Sequence, residues 1–444
     1  MSDEAPRAEA EGDRLFGLKL HNLILSGLVV GAAAGVLVNV SFMTDPSSSA
    51  AQTVEWVLRY ITRPLGAVFL NLLFMVVVPL VFCSLSLGVS SLGQGGKLGR
   101  LTLKTFGYFL MTSGISAAIG LFLVNVFRPG AGFDPATQAR LMEEFGAQAT
   151  EKAQMTTFSV EMFVSIVSRN PLRDAVDTNM LPIIFFSIVF GIALTRIRGE
   201  YADTTQKLLR GVGDAMVVIV GFAMKLAPFA VPALIFNATA VLGWQVVKQL
   251  AFFVVLCFVG YFLHLFGSYT VLLRVFARYP PSKFFRKVVP VMVTAFSTSS
   301  SNATLPTSIK HSEEDLGVPS HIAGFVLPLG ATANMNGTAL FEGVVVLFVA
   351  QVFGVELSLG AQLLVVLLAV LTAVGAAGIP SGSIPLLVGV LEAVGLPGGG
   401  IALIIGVDRL LDMGRTVVNV TGDVTAACFI ATSEGYRLKE QEGG

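Results

Sequence analysis

Long apolar stretches dominate the first 280 residues of the chain. About 20 apolar residues are enough for a helix to cross the hydrocarbon core of a bilayer. Stretches of this kind predict six spans, near residues 17–43, 56–89, 102–127, 161–195, 208–240 and 246–273. Several are longer than the minimum, which predicts tilted or broken helices.

The pattern changes after residue 283, where polar tracts interrupt the apolar sequence. Residues 295–304 are mostly Ser, Thr and Asn, and the Gly-, Ala- and Ser-rich residues 375–384 divide the apolar region 358–395. Irregular backbone at membrane depth must be buried in protein or line a cavity, and paired interruptions are typical of transporter binding sites. We therefore predict two re-entrant helical hairpins, near 283–308 from inside and near 358–395 from outside. The alternative is a flexible Ser-rich linker, but the tract lacks the length and charge of one.

Between the hairpins, a helix near 320–350 is predicted to be broken over residues 330–338. Gly337 and the two residues Asn334 and Asn336 interrupt an otherwise apolar sequence there, which would free backbone carbonyl groups. Carbonyl and carboxamide oxygens are ligands of hard cations. The alternative for the two asparagines is hydrogen bonding between helices.

The last apolar stretch, 397–432, carries ionisable and polar residues at steps of 4, 3, 4 and 4. At about 100° per residue these side chains share one narrow face of a helix. They are Asp408, Asp412, Arg415, Asn419 and Asp423. A charge near the bilayer centre costs about 3 kcal/mol or more, so we interpret this face as the lining of a polar site. The alternative is a structural ion-pair seam between packed helices.

The residue types on this face favour a ligand that carries both charges. Arg415 suits a carboxylate, and Asp412, one turn earlier, suits an ammonium group, with Thr416 and Asn419 as further hydrogen-bonding groups. An amino acid with an extra carboxylate fits better than a plain dicarboxylate, which Asp412 would repel. Asp423 needs a counter-charge of its own, for which a bound metal cation is the simplest choice.

Glu342 is a further carboxyl on the broken helix, five residues after Gly337. Such a group can carry a proton across neutral pH, or it can remain protonated as a hydrogen-bonding group. Both interpretations stay open from the sequence.

Composition narrows the class of protein. The chain of 444 residues is 54% hydrophobic and 13% charged, with a mean hydropathy of +0.77. An ordinary soluble protein has about 25% charged residues, so the composition indicates a polytopic membrane protein. The formal net charge of +0 gives no indication of a nucleic-acid partner, and the three scattered cysteines indicate neither a disulfide framework nor a thiolate metal site. Motifs of hydrolases and P-loop enzymes do not occur in the sequence, which argues against an enzyme.

The distribution of Lys and Arg predicts the topology. Short loops rich in these residues mark the cytoplasmic side, and they fall at 97–104, 196–210 and 274–287. The loop 128–157 then lies outside, and both termini are cytoplasmic. The polar start, Met1–Arg14, lacks the apolar core of a signal peptide. We expect a multi-pass protein of a bacterial or archaeal plasma (inner) membrane.

Four motifs together resemble the glutamate/aspartate transporter family, the dicarboxylate/amino acid:cation symporters. They are Ser300-Ser-Asn-Ala-Thr-Leu-Pro306, Asn334-Met-Asn-Gly-Thr338, Ala377-Gly-Ile-Pro380 and Asp412-Met-Gly-Arg-Thr-Val-Val-Asn-Val-Thr-Gly-Asp423. The resemblance covers roughly residues 17–435. It implies an all-α fold with eight transmembrane helices plus two re-entrant hairpins, a homotrimer, and an elevator-type movement in which the hairpins act as gates.

The resemblance also implies a division of the chain. Residues 1–16 and 436–444 would be cytoplasmic tails, and 17–280 mainly scaffold and trimerisation helices. Residues 281–435 would form the core transport domain, to which 102–127 also belongs.

Site residues follow from the resemblance position by position. Arg415 would bind the side-chain carboxylate of the substrate and Asp412 its α-amino group. The other implied substrate-binding residues are Ser300, Ser301, Thr338, Ile379, Thr416 and Asn419. One implied sodium site uses Gly330, Asn334, Asn419 and Asp423, a second uses Thr332 with carbonyl groups near Ala373 and Ala376, and a third uses Thr112, Ser113, Asn334 and Asn336.

The chain departs from the family pattern at several positions. Asn336 stands where Asp is usual, which weakens the case for the third sodium, and Ser383 stands where Gly is usual. An additional arginine, found in some members at the position of Ser299 and in others at Met413, is absent. Glu342 matches a glutamate that is linked to proton cotransport in eukaryotic relatives. These departures suggest fewer coupled sodium ions and added proton coupling through Glu342.

The sequence therefore predicts a secondary active symporter of acidic amino acids, aspartate or glutamate, driven by Na⁺ with H⁺ as a second coupling ion. The alternatives are a proton-driven C4-dicarboxylate carrier or a neutral amino acid carrier of the same fold, and an anion channel. A C4-dicarboxylate carrier should lack Asp412 in this role, and a neutral amino acid carrier should lack Arg415. Both residues are present in this chain.

Overall fold

The computed structural model describes residues 14–15, 18–43, 48–90, 97–132, 164, 166–197, 199–376 and 378–439. These ranges are helical apart from turns, short connections and two strands, β1 (Arg14–Leu15) and β2 (Leu18–Lys19), which pair antiparallel. The α-helices are α1 (Leu20–Phe42), α2 (Ser49–Val57), α3 (Arg63–Phe74), α4 (Val77–Ser90), α5 (Lys97–Phe127), α6 (Pro171–Val176), α7 (Met180–Arg196), α8 (Glu200–Leu242), α9 (Trp244–Phe262), α10 (Tyr269–Val275), α11 (Pro281–Thr298), α12 (Ser301–Glu314), α13 (Ser320–Ala333), α14 (Asn336–Val352), α15 (Leu359–Gly375), α16 (Ile384–Ala393) and α17 (Ile405–Ser433). Two π-helical segments, Leu58–Thr62 and Leu263–Ser268, and a 3₁₀ helix, Gly398–Leu403, join some of them.

Some of the predicted regions lie outside the described residues. They are most of residues 1–17, residues 133–157 of the predicted outer loop, residues 161–163 and 165 of the predicted span 161–195, residue 198 of the predicted loop 196–210, Ala377 of the second hairpin and residues 440–444 of the C-terminal tail.

Six helical segments in the described ranges are long and apolar enough to cross a membrane. They are Asn22–Phe42, Ser49–Ser90, Arg100–Phe127, Glu200–Leu242, Trp244–Val275 and Ser320–Val352. Five of them coincide with spans predicted before residue 280, and the sixth is the predicted broken helix. The 42-residue segment Ser49–Ser90 is interrupted by a turn at Met75–Val76, as its excess length suggested. The protein is thus a multi-pass membrane protein whose described residues are mainly helical, and the total of eight spans remains a prediction.

The prediction of one continuous span over 161–195 is wrong on its N-terminal side. The short helix α6 ends at Val176, and α7 begins only at Met180. Between them Thr178 has a φ of 51°, and the side chain of Asn179 donates to Asp174 Oδ1 (3.1 Å). Asn and Asp side chains compete with the helix for backbone and local hydrogen bonds, so this polar sequence ends one helix and starts another.

Two helix–turn–helix units lie where the hairpins were predicted. The first consists of α11 and α12 and spans Pro281–Glu314, so it is longer than predicted. At its tip Ser299 adopts the left-handed conformation with a φ of 51°, and Ser300 Oγ accepts a hydrogen bond from the Ala303 N–H (3.2 Å) as the N-cap of α12. The second unit consists of α15 and α16. Their re-entry into a membrane remains a prediction.

The broken helix and the last helix form the centre of the fold. The break falls at Asn334 and Met335, between α13 and α14, within the predicted 330–338. Nearly every residue of α14 is buried, which is typical of a helix enclosed by protein on all sides. Helix α17 packs against α13 and α14 as well as both arms of the first hairpin.

Ion pairs connect the N-terminal part of α5 to the C-terminal end of α17. Arg100 Nη2 and Lys104 Nζ each lie 2.6 Å from a carboxylate oxygen of Glu434, directly after α17. The hydrogen bonds from Lys104 and Arg100 lower the pKa of Glu434. The C-terminal end of α17 therefore lies beside the basic N-terminal turns of α5, and the basic residues 97–104, predicted as a loop, are part of that helix.

Helices α1 and α8 approach closely along a row of small residues. Gly27, Gly31 and Gly35 repeat every four residues on one face of α1, a spacing that lets two helix backbones come together within a membrane. A Cβ atom at Gly31 would lie 2.5 Å from the carbonyl oxygen of Pro232 and 2.8 Å from Ile235 Cγ2. The Pro232 side of this contact is backbone and cannot rotate away.

We expect Gly31→Ala to lower the thermal stability of the detergent-solubilised protein, because overpacking of this kind costs about 1–3 kcal/mol. The matched control is Gly211→Ala in α8, where a Cβ meets nothing within 4 Å. That variant should match or exceed wild type, since alanine favours a helix over glycine. Equal midpoints of thermal unfolding for the two variants would contradict the close packing of α1 on α8.

Candidate functional site

Three charged side chains of α17 form a compact buried cluster. Arg415 Nη2 lies 2.5 Å from Asp412 Oδ1 and 3.3 Å from Asp408 Oδ1, and Arg415 Nε donates to Asp412 Oδ1 over 3.1 Å. All three side chains are almost completely buried. Removal of Arg415 would leave two buried carboxylates without the cation that they share, which is strongly unfavourable.

The guanidinium of Arg415 keeps unused binding capacity. Its Cζ lies 4.5 Å from the centroid of the Phe341 ring, in the geometry of a cation–π contact. Its Nη1 atom is buried and has no hydrogen-bond partner among the described residues. Since unpaired buried donors are costly, this nitrogen is a natural place for an acceptor of a bound ligand.

The tip of the second hairpin is bound to the same cluster. Ser381 donates its backbone N–H to Asp412 Oδ2 (2.9 Å) and its hydroxyl to Asp408 Oδ2 (2.8 Å). Its φ of 55° lies in the left-handed region, which positions both groups toward α17. Each aspartate therefore uses one oxygen for Arg415 and the other for this tip.

The two hairpin tips also contact each other. Ser300 donates its hydroxyl to the carbonyl oxygen of Gly378 (2.7 Å), and the Asn302 N–H donates to the same oxygen (3.2 Å). A Cβ at Gly378 would lie 2.8 Å from the carbonyl oxygen of Ala331, so this contact requires glycine.

A small cavity lies between the two tips, α14 and α17. It is lined by Ser299, Ser301, Met335, Thr338, Gly378, Ile379, Gly382, Ser383, Asp412, Arg415, Thr416 and Asn419. The space open to the centre of a water molecule is about 10 Å³, roughly enough for one water. A ligand of amino-acid size would need the tips to separate or Arg415 to move from Asp412.

Seven of the eight substrate-binding residues implied by the resemblance line this cavity. The exception is Ser300, whose hydroxyl is already bonded to Gly378 and which caps α12. The lining residues missed by that set are Ser299, Met335, Gly378, Gly382 and Ser383. Met335 and Gly378 lie within the quoted motifs and the other three lie within three residues of one, but the sequence does not show which of them face the cavity.

The residues of the first implied sodium site lie close together, and one of them, Asn419, also lines this cavity. Asn334 Nδ2 donates to Asp423 Oδ1 (2.8 Å), and a Cβ at Gly330 would lie 2.6 Å from Asp423 Cγ. Asn419 Oδ1 accepts the hydrogen bond of the Gly337 N–H (2.7 Å), a group freed by the helix break. Asp423 has no cationic partner in the described salt bridges, and its role as a sodium ligand remains a prediction.

The third implied set also comes together. Ser113 donates its hydroxyl to Asn336 Oδ1 (2.8 Å), and Thr112 Oγ1 lies 3.4 Å from Asn334 Oδ1. Tyr269, which the sequence did not single out, accepts from Asn336 Nδ2 (2.9 Å) and donates to the carbonyl oxygen of Val418 (2.9 Å). The oxygens of this set are neutral, because position 336 is an amide.

The second implied sodium set is not assembled in the same way. The side chain of Thr332 is exposed, and its hydroxyl donates to the carbonyl oxygen of Leu329 (3.1 Å). Ala373 and Ala376 are buried in the second hairpin.

Glu342 lies on α14 and does not line the cavity. It is fully buried, with Oε2 accepting a hydrogen bond from Thr372 of α15 (2.5 Å). Its Oε1 has no partner among the described residues. One hydroxyl is little compensation for a buried negative charge, and this environment fits both interpretations of Glu342, the proton carrier and the permanently protonated hydrogen-bonding group.

The sequence pattern also missed Arg409. It follows Asp408 but lies off the polar face, and its side chain is only 7% exposed. Its Nη1 lies 3.9 Å from Asp412 Oδ2. An arginine within an apolar helix was the available signal.

The matching family model describes the sodium:dicarboxylate symporter family and covers residues 20–433. The chain belongs to this family. It is 34% identical over 416 residues to the proton/sodium-glutamate symport protein of Bacillus caldotenax, covering 93% of this chain and 95% of the relative. It is 30% identical over 373 residues to the C4-dicarboxylate transport protein of Bacillus subtilis (strain 168), covering 84% and 87%. It is 32% identical over 443 residues to the neutral amino acid transporter B(0) of Bos taurus, covering 94% and 81%.

Membership establishes a membrane symporter with cation coupling. Because these relatives are named for three substrate classes at similar identity, the substrate must be argued from the site.

We expect Ser381→Ala and Ser381→Val to loosen the second hairpin tip to different extents. Both lose the hydrogen bond to Asp408, but the β-branched valine also strains a backbone with positive φ, at a cost of about 1–3 kcal/mol. Amide hydrogen exchange of the peptide 378–384 should therefore be slowest in wild type, faster with alanine and fastest with valine. Identical exchange in all three proteins would show that the tip is held by other contacts.

Proposed function

We propose that this protein is a secondary active symporter of acidic amino acids, aspartate or glutamate, driven by Na⁺. The observation that carries the proposal is the Arg415–Asp412 pair in the cavity between the hairpin tips. A site with one cation and one anion recognises a ligand that carries a carboxylate and an ammonium group. The spare Nη1 of Arg415 adds a donor for a second carboxylate oxygen.

Binding would exchange partners within the pair. The side-chain carboxylate of the substrate takes the place of Asp412 Oδ1 on Arg415, and Asp412 then accepts the substrate ammonium. A C4-dicarboxylate would take Arg415 from Asp412 without bringing an ammonium group in its place, and a neutral amino acid would bring no carboxylate to release Asp412 from Arg415. In the first case Asp412, and in the second the substrate ammonium, lacks its full counter-charge, which costs several kcal/mol.

The coupling ion would bind directly below the substrate. Asp423, Asn334, Asn419 and the backbone at Gly330 provide a carboxylate and neutral oxygens, the ligand set of a hard cation. The residues around Asn336 provide a weaker set without a formal charge. The proposal therefore places a first sodium ion at Asp423 and gives the set around Asn336 a lower affinity for a second one.

The larger assembly is proposed on the same basis. Residues 281–435, with 102–127, would move as a transport domain in an elevator-type mechanism, against a scaffold formed by most of 17–280 in a homotrimer. In support, Ser113 and Ser116 of α5 bond to Asn336 at the site, over 2.8 and 2.6 Å. Both termini would be cytoplasmic, in a plasma membrane.

The first test is uptake of labelled L-aspartate into proteoliposomes under an imposed sodium gradient, with unlabelled succinate and L-asparagine as competitors. We expect sodium-dependent uptake that aspartate and glutamate inhibit best. Arg415→Lys should weaken apparent affinity roughly ten- to hundredfold, because lysine loses the planar fork and a charged hydrogen bond is worth about 1.5–3 kcal/mol. Uptake that succinate inhibits as well as aspartate, or that needs no sodium, would overturn this assignment.

Proton coupling through Glu342 is tested separately with a pH-sensitive dye inside the vesicles. We expect aspartate uptake to acidify the interior in wild type, and Glu342→Gln to abolish the acidification while it preserves the hydrogen bond from Thr372. Thr372→Val is the control, because it removes that bond and keeps the carboxyl group. Unchanged internal pH in wild type, together with normal transport by Glu342→Gln, would leave Glu342 as a structural residue.

A further inference from the structure

Arg409 is a buried cation with an incomplete set of partners. Its side chain is 7% exposed, and its Nε has no hydrogen-bond partner among the described residues. Its Nη1 is 3.9 Å from Asp412 Oδ2, which is an ion pair by distance but too long for a hydrogen bond. A purely structural arginine in such an environment would normally bind a carboxylate through two parallel hydrogen bonds.

The charges around this residue balance only if Arg409 is counted. Asp408 and Asp412 share Arg415, which leaves one excess negative charge in the cluster. Arg409 brings the sum of the four side chains to zero. In a medium of low dielectric constant, that sum determines whether a ligand with net charge is attracted or repelled.

We propose that Arg409 is a specificity-determining residue, which acts through Asp412 and makes the site accept a substrate with a net negative charge. The inference rests on the proposed function. When the substrate carboxylate takes Arg415, Arg409 remains as the counter-charge of Asp412 Oδ2. Asp412 therefore keeps a cation beside its Oδ2 and stays oriented for the substrate ammonium without drawing Arg415 back.

Arg409 would act on the ligand indirectly, through Asp412. The residues that line the cavity include Asp412 and Arg415 but not Arg409. Its role is thus a positioning and electrostatic one, with no direct contact to the substrate. The consequence is selectivity: loss of its charge should penalise a substrate of net charge −1 and have little effect on a zwitterion of the same shape.

The test compares L-aspartate with L-asparagine, which differ by carboxylate against carboxamide. The ratio of their inhibition constants against labelled aspartate is measured in proteoliposomes for wild type, Arg409→Gln and Arg409→Lys. We expect Arg409→Gln to reduce the preference for aspartate by about tenfold, the effect of a unit charge at roughly 10 Å in a protein interior. Arg409→Lys should retain most of it. The ratio does not depend on how much protein is folded.

A charge-restoring variant separates electrostatics from packing and covers the case in which Arg409→Gln folds poorly. Asp408→Asn combined with Arg409→Gln returns the cluster to a net charge of zero, and should recover much of the aspartate preference. A ratio unchanged in Arg409→Gln, a lysine variant as impaired as glutamine, or a double variant without recovery would each overturn the role of Arg409. Failure of wild type to take up aspartate would instead overturn the proposed function, and with it this inference.

Discussion

The structure depends on one constraint, which is that a charge buried in a membrane protein must be neutralised where it lies. Helix α17 carries Asp408, Arg409, Asp412 and Arg415 within two turns, all of them buried. Water cannot solvate these groups, so each must be satisfied by another charge, a backbone N–H or a ligand. The cluster satisfies most of these needs internally and leaves two guanidinium nitrogens, one on Arg409 and one on Arg415, without partners among the described residues.

The breaks in the neighbouring helices help to satisfy the same constraint, because they provide free backbone N–H groups. A continuous helix has no backbone N–H groups to spare in its interior, whereas a break exposes several. The Gly337 N–H at the start of α14 binds Asn419, and the Ser381 N–H at the second hairpin tip binds Asp412. Irregular backbone and polar side chains therefore occur at the same depth, because each satisfies the other.

Features that depend on helical periodicity could be predicted from the sequence, whereas features that depend on side-chain reach or on the backbone conformation of a turn could not. Periodicity was enough to place Asp408, Asp412 and Arg415 on one face, and the Asn- and Gly-rich sequence placed the break between α13 and α14. Arg409 was not predicted as a site residue because it lies off that face and approaches Asp412 only through its long side chain. Periodicity equally cannot tell which tip residue, Ser299 or Ser300, faces the cavity, since one residue in the left-handed conformation reverses the direction of the chain.

Arg415 and the second hairpin tip are linked through the two oxygens of Asp412. Oδ1 binds Arg415 and Oδ2 binds the Ser381 N–H. A ligand that draws Arg415 away therefore removes a counter-charge from the carboxylate that binds the tip. Under the proposed function, an ammonium group on Asp412 replaces the lost cation and preserves the contact with the tip. A ligand without an ammonium group leaves Arg409, at 3.9 Å, as the remaining cation beside Asp412. Substrate recognition and closure of the tip are then one equilibrium, because the same carboxylate takes part in both.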